Sequence, residues 1–264
     1  MEGLQDGCMK IGIIGAGRMG SALIEGLIRA GVKPGDIWVS EKDEAKAEEV
    51  RKRGVKMVSK KEFLKCDVVF LVVKPKEVQE ALGDFPRDFQ KSFVSSVAGV
   101  RLETFKMLGK AKLFRIMPNI FCRWGEGAIA LCAERADEKS TAEVERVLSR
   151  LGKVVRVDEE LMDVVTALSG SGPAFFSLLL EAAVDEAERL GLPRRTALIL
   201  AAQTLRGLGT AVEGGESPDE IIQKVASPGG TTEAGLQILA PASEIVRKAI
   251  KRAFERAGQL CSKK

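Results

Sequence analysis

The chain has 264 residues, 45% hydrophobic and 30% charged, with a net charge of +4 spread over interspersed acidic and basic side chains. That is the make-up of a soluble protein of one large domain or two ordinary ones; the mixed charge argues against a nucleic-acid or anionic-membrane partner, and no apolar run approaches the roughly 18 residues of a transmembrane helix. Histidine and tyrosine are absent, so no mechanism can use either as proton donor or base.

Cys8, Cys66, Cys122, Cys132 and Cys261 are scattered and form no C-x-x-C pair. With no histidine to complete a set, no metal site is expected, and the thiols read as reduced core or surface groups of a cytoplasmic protein. The opening MEGLQDGCMK has no signal-peptide core.

The first half alternates strands and helices. KIGIIG (10–15) is a short apolar strand, followed by a helical pattern over 21–30. Between them stands Gly15-Ala16-Gly17-Arg18-Met19-Gly20. In a strand–turn–helix setting this G-x-G-x-x-G has a mechanical reading. Gly15 makes the turn, Gly17 lets the backbone approach a pyrophosphate, and Gly20 permits close helix–strand contact. The free N–H groups of the helix start then face the negative charge.

DIWVS (36–40) is a second strand, and a charged helix follows to Gly54. The end of this strand chooses the cofactor. An acid there would take the ribose 2′-OH of NADH; Ser40 with Lys42 would hold the 2′-phosphate of NADPH. The signal is mixed. It favours NADPH, with NADH as the alternative, if Glu41 points outward as part of the charged helix start.

CDVVFLVV (66–73) is a third strand, apolar throughout and therefore covered on both faces. Pro75 ends it, and Lys74 is placed at the carboxyl edge, where doubly wound sheets bind ligands. SFVSSVA, KLFRIMP and GAIALCA are further strands, and Ala98-Gly99 ends the first of these in the same manner. In RIMPN (115–119), Met117 and Pro118 form an apolar wall beside Asn119, the sole asparagine. The alternative reading of that segment is an ordinary turn. The alternation predicts βαβ units in a parallel, doubly wound sheet over residues 1–157.

Residues 158–264 carry only helical patterns. LSGSGPAF (168–175) opens a helix with Pro173 in its first turn and Gly191 at its end. It suits a close-approach ligand turn and a packing kink alike. RRTALILAAQTLRGLGTAV is apolar on nearly every side, which points to cover by a second copy of the chain. Ser217 and Pro218 begin a third helix. Then VASPGGTTEAGLQIL sets Pro228, Gly229 and Gly230 ahead of Thr231, Thr232 and a further helix, before ASEIVRKAIKRAFERAGQL. Bare glycines and two hydroxyls at a helix start suit a small carboxylate, which the unpaired N–H groups and the helix dipole favour. The two threonines are also expected to cap that helix.

IGIIGAGRMGSAL, VVKP, RIMPN, TALSGSGPAF and SPGGTTEAGL occur in an order and spacing that resembles the pyrroline-5-carboxylate reductases, over residues 9 to about 260. The resemblance implies a Rossmann-type domain, an all-helical dimerisation domain, and in many members a ring of dimers. It implies NAD(P)H as hydride donor to a cyclic imine bearing a carboxylate. By position, Gly15 to Gly20, Ser40, Lys42, Val73, Lys74, Pro75, Ala98, Gly99, Met117 and Asn119 are implied cofactor contacts. Ser227, Gly230, Thr231 and Thr232 are implied substrate contacts, with Thr232 orienting the ring nitrogen, and Glu159 matches an acidic position near the substrate. A protonated imine is already electrophilic and hydride addition yields an amine, so no strong acid is needed.

The sequence departs from that pattern at Ile120–Trp124, where Thr-Pro and small apolar residues are usual, and at Lys61, where asparagine is frequent. Residues 1–8 fall outside the resemblance. A β-hydroxyacid dehydrogenase is the rival enzyme, and a cofactor-sensing protein without catalysis the rival from another class. The first requires a lysine on the inter-domain helix, yet no lysine lies between Lys153 and Lys224. The intact SPGGTT argues against the second.

Overall fold

The computed structural model describes residues 9–261. Cys8 and the side chain of Cys261 lie outside the described residues. Two compact units result: Gly172–Arg252 is one, and the remaining described chain, including the end of the last helix, is the other. The change from alternating strands to helices comes earlier, after residue 156.

The larger unit is built on eight strands: β1 (Ile11–Ile14), β2 (Ile37–Ser40), β3 (Lys56–Met57), β4 (Val68–Leu71), β5 (Ser92–Ser95), β6 (Lys112–Met117), β7 (Gly127–Glu134) and β8 (Gly152–Arg156). Their order across the sheet is β3-β2-β1-β4-β5-β6-β7-β8. Direction of travel reverses at β1, so the crevice between the carboxyl ends of β1 and β4 is the topological switch point. β1 and β4 are buried throughout, and their side chains divide with the period of the strand. Ile11, Ile13, Val68 and Phe70 join one apolar layer with Leu23, Ile24 and Leu27. Ile14, Val69 and Leu71 join the opposite layer with Phe63, Phe85 and Phe93.

One expectation fails in detail. β7 runs antiparallel to β6, while every other neighbouring pair is parallel. The link over 118–126 is too short for a parallel crossover, which takes a dozen residues or more.

The helices are α1 (Arg18–Arg29), α2 (Glu44–Arg51), α3 (Val78–Gly83), α4 (Glu138–Leu148), α5 (Met162–Val165), α6 (Gly172–Arg189), α7 (Arg194–Glu213), α8 (Pro218–Val225), α9 (Thr231–Leu239) and α10 (Ala242–Cys261). α1 packs directly on the link after β6: a Cβ at Gly26 would overlap the carbonyl oxygen of Cys122. Between α5 and α6 the chain stays helical through a π-turn, Thr166–Gly170, where the Ser171 N–H reaches back to the Thr166 carbonyl at 2.9 Å. The serines and glycines there therefore do not break the helix. As a result Glu159–Arg189 is, by length and composition alone, long and apolar enough to cross a membrane, contrary to the expectation from the sequence.

Within Gly172–Arg252, Arg194 at the start of α7 is bound by Asp185 at 2.6 Å, by Glu188 at 3.2 Å and by Glu181, all on α6. Ser217 accepts from Glu220 N–H at 3.2 Å and donates its own N–H to the Glu220 carboxylate at 2.8 Å, a capping box that starts α8. Of this unit's apolar side chains only Val184 and Ala197 are buried in the single chain. Leu178, Ile199, Leu200 and Ile238 are each more than half exposed, a surface far more apolar than a monomer carries.

Gly26→Ala tests the α1 contact. The added methyl forces the helix off the Cys122 carbonyl, so stability should fall by about 2 kcal/mol, read as a lower urea midpoint with unchanged slope.

Candidate active site

The turn after β1 is held from two sides. Gly15 N–H donates to Ser40 carbonyl at 2.9 Å, tying it to the end of β2. On the other side β4 presses against it. Gly15 has φ +97°, and a Cβ there would overlap the Val72 carbonyl oxygen and lie 2.9 Å from Val73 Cγ1. A Cβ at Gly20 would overlap the Gly15 carbonyl oxygen. At Gly17 a Cβ would meet nothing within 4 Å. The first and third glycines are thus required by the protein's own backbone, whereas the second keeps open space above the start of α1. That is the space a pyrophosphate needs against free N–H groups, and it is the observation showing that these residues fit a dinucleotide.

This space belongs to a cavity of about 720 Å³ at the switch point. Of the residues expected to touch the cofactor, Gly15, Gly17, Arg18, Met19, Ser40, Lys42, Val73, Lys74 and Met117 line it. Ala16 and Gly20 lie in the same turn but are buried behind it. Pro75 begins a 3₁₀ turn, Pro75–Glu77, and sits away from the lining, as do Ala98 and Gly99 in the loop after β5. Glu41 lines the cavity as well, and so do Lys46, Lys60, Glu77, Glu80 and Ser96, which the sequence did not single out. Lys46 and Lys60 come from segments following β2 and β3, so only the strand order brings them here.

Glu41 contradicts its expected outward course. Its Oε2 accepts Ala16 N–H at 2.6 Å and its Oε1 accepts Asp43 N–H at 2.9 Å, which turns it against the glycine turn. Lys42 meets Glu80 at 2.7 Å and Glu77 at 3.6 Å. The Glu80 carboxylate holds its ammonium above the usual lysine range.

Asn119 is 6% exposed and faces inward, not toward the cavity. Its Oδ1 accepts Phe121 N–H at 3.1 Å and Ala128 N–H at 3.4 Å, and its Nδ2 donates to Ser169 carbonyl at 3.3 Å. It caps the 3₁₀ turn Ile120–Trp124 and fastens the π-turn to it. That divergent turn is itself anchored to α1, by Arg123 on Glu25 at 2.5 Å and by Arg29 over the Trp124 ring at 5.4 Å. Burial pushes the Cys122 thiol up to about 12. Met117 and Pro118, not Ile120–Trp124, reach the cavity.

Glu159 has an internal partner as well. Its Oε1 accepts Leu102 N–H at 2.7 Å and pairs with Arg115 at 3.2 Å. Arg115 is 2% exposed, and Asp163 stands 3.8 Å away as the second carboxylate.

In the helical unit the SPGGTT loop differs from the expected capping. Gly230, not a threonine, is the N-cap of α9, and no side chain caps it. Glu233 reaches back instead, its carboxylate accepting Gly229 N–H at 2.6 Å. Gly229 has φ +71°, and a Cβ on Gly230 would lie 2.5 Å from Ser227 Oγ, so both glycines have a local steric cause. Thr231 and Thr232 are therefore released from capping, beside the unpaired first-turn N–H groups of a nine-residue helix.

Comparison with known proteins covers nearly the whole chain. Residues 159–260 match the family model described as pyrroline-5-carboxylate reductase dimerisation, and residues 10–99 match that of NADP oxidoreductase, coenzyme F420-dependent. A pyrroline-5-carboxylate reductase of Methanosarcina acetivorans is 37% identical, over 96% of this chain and 98% of the relative. The solved structure of a pyrroline-5-carboxylate reductase from Coxiella burnetii superposes with a TM-score of 0.83 at 33% identity, covering 96% of this chain and 98% of that one. A Plasmodium falciparum pyrroline carboxylate reductase with NADP bound gives 0.84 at 26% identity, covering 98% and 100%.

Glu159→Ala separates the two roles open to that residue. Loss of the partner of a buried guanidinium should cost about 3 kcal/mol of stability, seen in the urea midpoint, with KM for the substrate unchanged. A substrate contact would instead raise KM at unchanged stability.

Proposed function

The chain belongs to the pyrroline-5-carboxylate reductase family, and from that premise we propose how its residues divide the reaction. The activity is reduction of 1-pyrroline-5-carboxylate to L-proline with NAD(P)H, the last step of proline biosynthesis. The observation that carries the reading is the glycine turn at the switch point, where one of three glycines has no steric reason except a ligand.

Gly17, Arg18 and Met19 hold the pyrophosphate, Ser40 and Lys42 border the adenosine ribose, and Val73, Lys74 and Met117 wall the nicotinamide. When bound, the nicotinamide supplies a hydride to the imine carbon. The substrate enters as the iminium, so the ring nitrogen already carries its proton and the product is the secondary amine. The chain's own contribution is placement. The first-turn N–H groups of α9 and the Thr231 hydroxyl take the carboxylate, with Ser227 and Gly230 shaping the loop. Thr232 accepts from the ring N–H and so fixes which face is presented. An anion at a helix N-terminus is stabilised without any titrating side chain.

The chain associates with itself through the helical unit, whose apolar surface needs that cover. We place the domains at 1–157 and 158–264, the enzyme in the cytoplasm without a membrane or nucleic-acid partner, and its dimers in a ring. The apolar run Glu159–Arg189 then faces protein rather than lipid. Supporting this are the family's dimerisation region over 159–260 and the serines and glycines of the π-turn.

Thr232→Ala is expected to lower kcat/KM for pyrroline-5-carboxylate by about 10²-fold with cofactor affinity unchanged. Collapse of cofactor affinity with turnover preserved would contradict the role given to the loop.

A further inference from the structure

Glu41 is half-buried and lines the cavity at the end of β2, where the adenosine ribose belongs in a doubly wound sheet. We propose that Glu41 sets this chain's cofactor preference: its carboxylate accepts the ribose 2′,3′-diol and excludes a 2′-phosphate, making NADH the better hydride donor. The proposal rests on the nucleotide reading of the cavity given above.

Geometry carries it. The carboxylate has about four lone-pair positions, and two are taken by Ala16 N–H at 2.6 Å and Asp43 N–H at 2.9 Å. The others are free for the two ribose hydroxyls. Those same N–H donors fix the charge in place. Ala16 is 3% exposed, so swinging Glu41 aside would strand a buried donor. A 2′-phosphate would bring most of two negative charges against a carboxylate that cannot retreat.

The cations nearby are held otherwise. Lys42 lies on Glu80 and Glu77, Lys46 on Asp43 at 2.8 Å, and Lys60 donates to the Glu80 carbonyl at 2.8 Å. Lys42 and Lys46 sit on exposed stems whose charge is screened by solvent and salt, and the half-buried Lys60 is directed at that carbonyl instead of the end of β2. Arg18 also lines the cavity, but at the glycine turn rather than at the end of β2. A fixed, half-buried carboxylate therefore outweighs them.

The test is calorimetric titration of the full-length protein with ADP-ribose and with its 2′-phosphate, repeated on Glu41→Gln and Glu41→Ser. Steady-state rates with NADH and NADPH give a second readout. The wild-type protein should bind ADP-ribose at least about tenfold more tightly, and both variants should shrink that ratio by about tenfold, with kcat/KM for the two cofactors following. Tighter binding of the 2′-phosphate by the wild type would overturn the proposal, as would an unchanged ratio in folded variants. Should the variants fail to fold, the wild-type ratio decides alone. Binding of neither compound would overturn the nucleotide reading itself, and the proposal with it.

Discussion

The contact on which the larger unit depends is backbone against backbone, with no side chain between: the turn over 15–20 lies on the Val72 carbonyl just past the end of β4, and its last residue lies on its first. Only glycine at both points lets α1 start so close to the sheet. The consequences run outward from there. The helix start opens toward the crevice between β1 and β4. One turn and a half along, Gly26 seats α1 on the Cys122 carbonyl and so fixes the link after β6. Asn119 in that link then holds the π-turn by the Ser169 carbonyl. The glycine turn, the link after β6 and the π-turn are thus successive contacts in one packed series.

Much of this was legible in the sequence because it depends on local spacing. G-x-G-x-x-G after an apolar strand, Pro218 behind Ser217, and Gly191 at a helix end each report a backbone requirement within a few residues. What was not legible depends on partners far along the chain. Glu41 could have faced either way, and the Ala16 N–H that decides it lies 25 positions distant. Asn119 sits in a motif shared with the family, Glu159 matches an acidic position of some members, and both look like ligand contacts. Yet one is consumed by capping and the other by Arg115, which β6 buries without any signal in its local pattern. The antiparallel turn of β7 is a matter of linker length rather than strand character. The threonines do not cap the helix; Glu233, four residues after Gly229, takes the loop's turn N–H instead.

The helical unit follows a different logic. Its helices were found from composition, but composition there also reported a shortage of buried partners. Two buried apolar side chains cannot offset the cost of ordering some eighty residues. A second chain is therefore part of the fold and not an addition to it. The same unit carries the SPGGTT loop, whose glycines shape the turn while leaving two hydroxyls and a helix start uncommitted. A reaction that begins from an iminium and ends at an amine needs nothing more acidic, which is why a chain without histidine or tyrosine can perform it.

The most direct measurement mixes the purified protein with pyrroline-5-carboxylate and NADH or NADPH. It follows both the loss of reduced nicotinamide and the appearance of proline. The account predicts proline formed in equal amount to the cofactor oxidised. A folded protein that binds the cofactor but forms no proline with either would contradict it.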